Sequence, residues 1–308
     1  MRIALLCATR RGYLLLKKLD ELRPDSEWVV FSFREEAHEP PFLDDLRNLT
    51  LDRGGRFFEA KNVGSARWAP FWESTPTDLM FAVSWRYMIP PDVYRRPRQG
   101  AFVFHDSLLP AYQGFAPTVW AILNGEDHTG ATLFEIAEEV DSGDIVDQQR
   151  VPIGAEDSIA DVMEHVTQAY LDMLERNLDR LLDGSAPRHP QDHSRATYTC
   201  KRLPDDNRID WSASTRDIHN LIRAVSQPYP GAFGYLRDRR VRIWSAQVLT
   251  DYHRYSGKVQ GRVVEVRPGA GTVVLTGDGA LLLKQVQLEG DAIACASDVL
   301  TSPSQTLT

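Results

Sequence analysis

The chain has 308 residues, of which 43% are hydrophobic and 25% charged, and its formal net charge is −8 at pH 7. A chain of this length can bury a large core, and we expect one main domain and a smaller one. The negative charge argues against nucleic acid as a partner, because nucleic-acid binding depends on Lys and Arg side chains that neutralise phosphates.

The lack of a recognisable targeting signal and the pattern of cysteines both favour a cytoplasmic protein. The apolar run at the N-terminus is short and a Thr-Arg-Arg-Gly break follows it, which predicts a strand and a turn rather than a signal peptide. No run approaches the roughly 20 apolar residues that cross a bilayer, so no membrane partner is expected. Cys7, Cys200 and Cys295 are odd in number and far apart, which fits a reducing compartment without disulfides. Pro190 separates His189 from His193, and no metal site is predicted there.

The first part of the chain alternates buried strands with helices. The apolar runs lie at 2–8, 27–33, 56–60, 78–85 and 100–104, and the helical patterns at 12–22, 41–52 and 66–73. The last of these patterns holds three aromatic residues that could equally form a packing cluster. This alternation predicts an α/β fold with a doubly wound, mostly parallel sheet covered on both faces. Neither GxGxxG nor GxxxxGK[ST] follows any strand, so the sheet is not evidence for NAD or ATP.

The second part of the chain changes its pattern near residue 200. Before that point we predict a helix at 116–123, strands at 130–136 and 144–153, a helix at 159–182 capped by Asp157 or Ser158, and a polar linker at 185–202. After a helix at 215–225, short alternating segments follow at 233–238, 240–249, 261–268, 271–277 and 279–288. Such segments predict a small β-barrel, and the domains are expected to be 1–200 and 201–308.

The stretch 104–145 carries the chemistry. His105 follows a buried strand, Ser107 comes two residues later, and Asp141 lies between acidic residues and a glycine. A histidine can exchange protons near neutral pH, and a carboxylate beside it stabilises its cation. Such a pair at the carboxyl edge of a sheet suits the attack of an amine on a carbonyl carbon. The alternative is a satisfied core histidine and a turn-forming aspartate.

A direct transfer is favoured over a covalent intermediate. No GxSxG motif occurs in the chain, and Ser107 is only two residues from His105, so a nucleophile of the Ser-His-Asp kind is not indicated.

The segment HDSLLPAYQG, followed some thirty residues later by VDSGDI, resembles the formyltransferases that use N10-formyltetrahydrofolate. This family includes methionyl-tRNA, glycinamide ribonucleotide and nucleotide-sugar N-formyltransferases. The resemblance extends to SWRYMIP, TYTCKRLPDDNRIDW and LIRAVSQPYPGAFGYL, and so to nearly the whole chain. It implies a Rossmann-like catalytic domain and a C-terminal OB-like barrel domain.

The resemblance assigns roles to particular residues. It makes His105 the residue that polarises the formyl group and moves protons, and Asp141 the residue that holds His105 and a water. The folate co-substrate is expected to contact two loops and the side chain of Phe115. The first loop holds Arg86, Tyr87, Met88 and Ile89, and the second holds Ala137, Glu138, Glu139 and Val140. Main-chain groups of these loops can imitate base-pair edges toward a pterin ring.

Two positions depart from the family pattern. Val103 stands where the family has an asparagine whose amide donates to the developing oxyanion, and Gln113 stands where many members have an arginine. Losing one oxyanion donor costs on the order of 10²–10³ in rate. Either Ser107, His105 or a backbone N–H replaces that donor, or the activity is slow, altered or absent.

The expected acceptor is a small-molecule amine, most simply the amino group of a nucleotide-linked aminodeoxysugar. The acidic charge and the lack of a long basic insertion after Pro110 argue against tRNA. The alternatives are an amino-acid amine such as N-hydroxyornithine, and a silent paralogue that binds folate or a nucleotide. A hydrolase that releases formate has no distinct sequence support. A homodimer is allowed but not specified.

Overall fold

A computed structural model describes residues 1–36 and 39–308. The chain forms two compact units, each assembled from three segments. The first unit holds residues 1–117, 129–152 and 164–200, and the second holds residues 118–128, 153–163 and 201–308. The division into two contiguous domains at residue 200 stays a prediction.

The first unit is built on a seven-stranded sheet. The strands of this part of the chain, including two that form a separate pair, are β1 (Arg2–Cys7), β2 (Glu27–Ser32), β3 (Arg56–Glu59), β4 (Leu79–Val83), β5 (Ala101–His105), β6 (Gln113–Gly114), β7 (His128–Glu135), β8 (Ile145–Pro152) and β9 (Tyr198–Thr199). The sheet order is β3-β2-β1-β4-β5-β7-β8, while β6 and β9 pair separately. The five neighbouring strands β3, β2, β1, β4 and β5 run parallel, and β7 is antiparallel to β5. The predicted doubly wound, mostly parallel sheet is confirmed.

Apart from a short helix at Pro91–Tyr94, the helices begin and end close to the predicted positions. They are α1 (Thr9–Leu22), α2 (Leu43–Asp52), α3 (Ala69–Ser74), α4 (Pro91–Tyr94), α5 (Pro117–Leu123) and α6 (Ile159–Leu182). The start of α6 is a capping box, because Asp161 N–H donates to Ser158 Oγ at 3.4 Å and Ser158 N–H donates to Asp161 Oδ2 at 2.9 Å. In the described ranges, no helix is both long and apolar enough for a transmembrane segment.

One face of the sheet is covered by aromatic side chains. The ring of Phe31 on β2 lies 5.0 Å from those of Phe58 and Trp72 and 5.1 Å from that of Trp68, centroid to centroid. The stretch 66–73 is therefore both partly helical, as α3, and a packing cluster. Val103 on β5 packs against this same apolar cluster, so its side chain faces the aromatic side of the sheet.

The segment 185–202 is not a free linker, and that prediction is wrong. Strand β9 pairs in parallel with β6, and Ile145 and His189 exchange two backbone hydrogen bonds of 2.9 Å. Backbone pairing of this kind leaves no trace in side-chain composition. A polar, proline-containing stretch can therefore still be part of a folded unit.

The second unit contains an antiparallel sheet. Its strands are β10 (Ala232–Leu236), β11 (Arg239–Val248), β12 (Val263–Arg267), β13 (Gly271–Leu275), β14 (Ala280–Leu288) and β15 (Ala294–Cys295), and its helices are α7 (Thr215–Ala224) and α8 (Ala296–Val299). The order is β10-β11-β14-β13-β12, with β15 on β14. Residues 305–308 bond both edges, since Thr308 and Tyr235 exchange hydrogen bonds and Leu307 N–H donates to Gly261 O. This bridging joins the two edges, as the predicted barrel requires.

A mostly buried ion pair fixes the end of β5. Nη1 of Arg11, on α1, donates to both carboxylate oxygens of Asp106 at 2.7 and 2.9 Å. The Tyr170 hydroxyl on α6 donates to the same carboxylate, and Thr129 Oγ1 donates to the Asp106 carbonyl at 2.9 Å. Burial by itself raises the pKa of Asp106, but Arg11 and Tyr170 outweigh it and hold that pKa below its usual range.

We expect Arg11→Met to lower the free energy of unfolding by about 3–5 kcal/mol, because it leaves the Asp106 carboxylate buried without its cation. The matched control is Arg10→Met, which removes a half-exposed arginine paired with Glu164 and should cost less than about 1 kcal/mol. Urea unfolding followed by tryptophan fluorescence at pH 7 measures both. Equal losses in the two variants would contradict the role given to Arg11.

The same carboxylate should make stability pH-dependent. Since its pKa is lower in the folded state, its contribution is complete above the unfolded pKa of about 3.9 and is lost as the pH falls through the folded value. The unfolding free-energy difference between the wild type and Asp106→Asn should therefore be constant above about pH 5 and shrink below about pH 4. Denaturation curves of both proteins, recorded above about pH 5 and below about pH 4, test this. A free-energy difference between wild type and Asp106→Asn that grew on acidification would contradict it.

Candidate active site

His105 is held by the sheet itself. The sequence places it after a strand, but the structure includes it as the last residue of β5, opposite Thr132 of β7. Its side chain is buried. Because side chains alternate along a strand, Val103 and His105 lie on the same face of β5.

The imidazole of His105 has a different neighbour on each nitrogen. Nε2 lies 2.9 Å from the carbonyl oxygen of Tyr112, and since a carbonyl only accepts, Nε2 carries the proton. Nδ1 lies 3.6 Å from Oδ2 of Asp141. This separation is too long for a hydrogen bond but short enough for an ion pair when the ring is protonated. The structure thus brings His105 and Asp141 together.

Asp141 reaches His105 by a return path that the sequence did not indicate. Glu135, the last residue of β7, lies opposite Phe102 near the start of β5, so the loop after β7 leaves from the amino end of β5. Because β7 is antiparallel to β5, this loop has to run back to the carboxyl end of β5 before Asp141 meets His105. The loop turns back, Asp141 adopts a left-handed backbone with φ 54°, and its Oδ2 accepts a 2.9 Å hydrogen bond from Gly114 N–H.

Gly143 allows this loop to turn back. A Cβ atom at this position would lie 1.8 Å from the Glu135 carbonyl oxygen, far inside any van der Waals contact. Only glycine fits there, which gives the glycine of the VDSGDI segment a physical reason.

The hydroxyl of Ser107 is used by the turn that follows β5. Its Oγ donates to the carbonyl of Ala111 at 2.6 Å, and its own carbonyl accepts a 2.6 Å hydrogen bond from Thr132 Oγ1. These bonds fasten the loop after His105 to β7. A catalytic role for Ser107 stays a prediction.

The predicted folate loops leave main-chain groups free. Within the described ranges, the backbone groups of Tyr87, Met88, Ala137, Glu138 and Val140 make no hydrogen bond to the protein. Buried loops cannot leave such groups unpaired at no cost, but these loops are largely accessible. Their backbone donors and acceptors are therefore available to a ligand.

Several predicted folate residues expose large apolar side chains. Met88 is 70% exposed, and Phe115 and Val140 are each 54% exposed. Two others are engaged with the protein, since Arg86 binds the Glu39 carboxylate and the Tyr87 ring lies 5.0 Å from that of Phe33. The remaining predicted residues are the buried Ile89 and the exposed Glu139.

A cleft of about 660 Å³ opens at the amino end of β5. Tyr94, Ala101, Ile136, Ala137 and Glu138 contribute to its lining, so it includes the first part of the predicted folate loop. His105 and Asp141 do not line it. The volume lies within the range of roughly 300–1,000 Å³ typical of small-molecule pockets.

Sequence reasoning missed three contributors to the site. The Tyr112 carbonyl and the Gly114 N–H lie inside the HDSLLPAYQG segment, but their roles depend on backbone direction. Gln191 donates to the carbonyl of Asp141 from the stretch predicted to be a linker, and no signal in a single sequence points to it. In the part of the chain that the structure describes, no group of three or more His, Cys, Asp or Glu residues could hold a metal ion.

The architecture is shared with known structures. WlaRD, a sugar 3N-formyl transferase with dTDP and 5-N-formyl-THF, is 17% identical with a TM-score of 0.67 and 95% and 99% of the two chains covered. An N-formyltransferase from Helicobacter canadensis with folinic acid and dTDP-3-aminofucose is 15% identical with a TM-score of 0.66 and 91% and 98% covered. HypX from Aquifex aeolicus with tetrahydrofolic acid is 21% identical with a TM-score of 0.66, and the chain, matched over 97% of its length, spans only 47% of it.

Family comparison covers both units. The Formyl transferase family matches residues 29–178, and the Formyl transferase C-terminal domain family matches residues 203–304. The two matches contain the HDSLLP and VDSGDI segments and most of the antiparallel strands. Together with the fold and the His105–Asp141 arrangement, they establish that this chain belongs to the formyl transferase family.

Proposed function

We propose that this protein transfers a formyl group from N10-formyltetrahydrofolate to the amino group of a small molecule, and that the acceptor is a nucleotide-linked aminodeoxysugar. The observation that carries the proposal is the 3.6 Å approach of His105 Nδ1 to Asp141 Oδ2 in a chain of this family. The structures bound to dTDP or dTDP-3-aminofucose support the sugar acceptor by analogy of fold.

His105 is suited to move the proton of this reaction. Transfer takes one proton from the attacking amine and delivers one to the nitrogen that loses the formyl group. Nε2 of His105 is engaged by the Tyr112 carbonyl, so Nδ1 is the nitrogen that exchanges the proton. Between these two proton transfers the imidazole of His105 is a cation, and the carboxylate of Asp141 stabilises that cation because it faces Nδ1.

The residues present fit a folate co-substrate. N10-formyltetrahydrofolate supplies the activated formyl group. The main-chain groups of Ala137, Glu138 and Val140 make no hydrogen bond to the protein and offer donors and acceptors to its pterin ring. Met88 and Phe115 offer exposed apolar surface to the rest of the molecule.

Val103 favours a second candidate, a folate- or nucleotide-binding paralogue that does not turn over. Its side chain packs on the apolar cluster and donates no hydrogen bond, so the formyl oxygen lacks the donor that an asparagine would supply. Formylation of an amino-acid amine such as N-hydroxyornithine is the alternative acceptor chemistry. A homodimer stays a prediction.

An acceptor screen tests the function directly. Purified protein is incubated with N10-formyltetrahydrofolate and, in separate reactions, UDP-, dTDP- and GDP-linked aminosugars, N-hydroxyornithine, or no acceptor. Tetrahydrofolate release and product mass are then measured. Formylation of an aminosugar nucleotide is the expected result. Release of tetrahydrofolate without any acceptor would indicate a hydrolase, and folate binding without transfer would support the silent paralogue.

Replacement of the central pair should stop transfer without unfolding the protein. We expect His105→Ala and Asp141→Ala each to lower kcat by about 10²–10⁴-fold, the usual contribution of a positioned acid–base group. His165→Ala, which removes an exposed histidine on α6, is the matched control and should keep wild-type kcat. Circular dichroism checks the fold. Wild-type rates in His105→Ala would remove the assignment.

Val103→Asn tests the missing donor. We expect kcat to rise by about 10- to 100-fold, because the new amide can donate to the developing oxyanion from the face that carries His105. Val103→Leu keeps the position apolar and should not raise the rate. An unchanged or lower kcat in Val103→Asn would mean that the site is built around valine.

A further inference from the structure

Two buried amide side chains meet beneath Asp141. Gln113 on β6 is 3% exposed, and Gln191, in the segment after α6, is 6% exposed. They lie 78 residues apart in sequence, yet Gln113 Nε2 donates to Gln191 Oε1 at 3.3 Å. Both belong to the first unit.

The two amides converge on one carbonyl. Gln191 Nε2 donates to the Asp141 carbonyl at 2.9 Å and to the Gly143 carbonyl at 2.7 Å. Gln113 Nε2 donates to the same Asp141 carbonyl at 3.1 Å. Each NH₂ group thus uses both of its hydrogens, and the Asp141 carbonyl accepts twice.

These hydrogen bonds hold a strained backbone in place. Asp141 has φ 54°, a left-handed conformation that is costly for L-residues and persists only where the surrounding structure holds it. In this conformation of the loop, its carboxylate lies beside His105 and accepts a hydrogen bond from Gly114 N–H. Two buried donors on its carbonyl, and one on that of Gly143, hold the loop at that point.

The segment 185–202 brings Gln191 to this position. Backbone bonds between His189 and Ile145 on one side, and between β9 and β6 on the other, tie the segment down before and after Gln191. The glutamine at residue 113 suits this pairing, because a neutral amide can donate to Gln191 Oε1 without burying a charge.

We propose that Gln191 is a positioning residue of the formyl-transfer site. Together with Gln113, it holds the carboxylate of Asp141 beside the imidazole of His105. The inference rests on the proposed function for its catalytic consequence. The underlying geometry is independent of that function. Gln191 acts through donation to two carbonyls, and its volume alone does not suffice.

Two near-isosteric variants separate donation from packing. Gln191→Glu and Gln191→Met keep the size of the side chain but remove both donors, and Gln191→Glu also turns an acceptor toward the two carbonyls. Gln113→Met removes the second donor to Asp141. Gln168→Ala deletes the same amide from an exposed position on α6, where it donates to Asp172, and serves as the matched control.

The kinetic readout is the separation of kcat from KM. We expect Gln191→Glu and Gln191→Met to lower kcat by about 10- to 100-fold, because displacement of a catalytic group by about 1 Å has effects of this size. KM for the folate should stay within about threefold. Wild-type kcat in Gln191→Met, with a loss only on truncation to alanine, would assign Gln191 to packing and overturn the proposal.

The structural readout does not depend on activity. The Gly114 amide donates to Asp141 Oδ2, so it should exchange with solvent at least about tenfold faster in Gln191→Glu, Gln191→Met and Gln113→Met than in the wild type or Gln168→Ala. If no acceptor is formylated but exchange changes as expected, the proposed function fails and the positioning role stands. Unchanged Gly114 exchange in folded variants would overturn the positioning role whatever the activity.

Discussion

The arrangement of the site depends on β5 lying between a parallel neighbour and an antiparallel one. Strand β4 fixes its direction, and β7 fixes its end by pairing Thr132 with His105. The antiparallel pairing also sends the next loop out at the opposite end of β5. That loop must return along the sheet before Asp141 meets His105, and the glycine at 143 and the left-handed backbone at 141 are the means of that return.

The end of β5 is held by polar contacts from several elements. Behind it, Asp106 binds Arg11 of α1 and Tyr170 of α6. Around the imidazole, the Tyr112 carbonyl holds Nε2 and Asp141 faces Nδ1. Buried polar groups of this kind are costly when one partner is missing and rigid when all are satisfied. They therefore define one orientation of the histidine ring, which proton transfer requires.

Val103 lies in apolar surroundings on the face of β5 that also carries His105. An asparagine at that position would place a donor next to His105, whereas valine extends the aromatic cluster toward the site. The main-chain groups of Ala137, Glu138 and Val140 make no hydrogen bond to the protein, and Met88 and Phe115 expose apolar side chains, so these groups are available to the folate that we propose. In the function that we propose, these residues suit binding of the folate better than stabilisation of negative charge on the formyl oxygen.

The sequence by itself determined most of the strands, the long helix, the barrel segments and the pair His105 and Asp141, because periodic burial and short motifs are local properties of the chain. Only the tertiary structure decided that β7 is antiparallel, that the polar segment 185–202 is pinned by backbone pairing, and that Gln191 reaches Asp141. The physical reason is that a hydrogen bond between residues fifty positions apart depends on the path of the backbone, and neither hydropathy nor composition encodes that path.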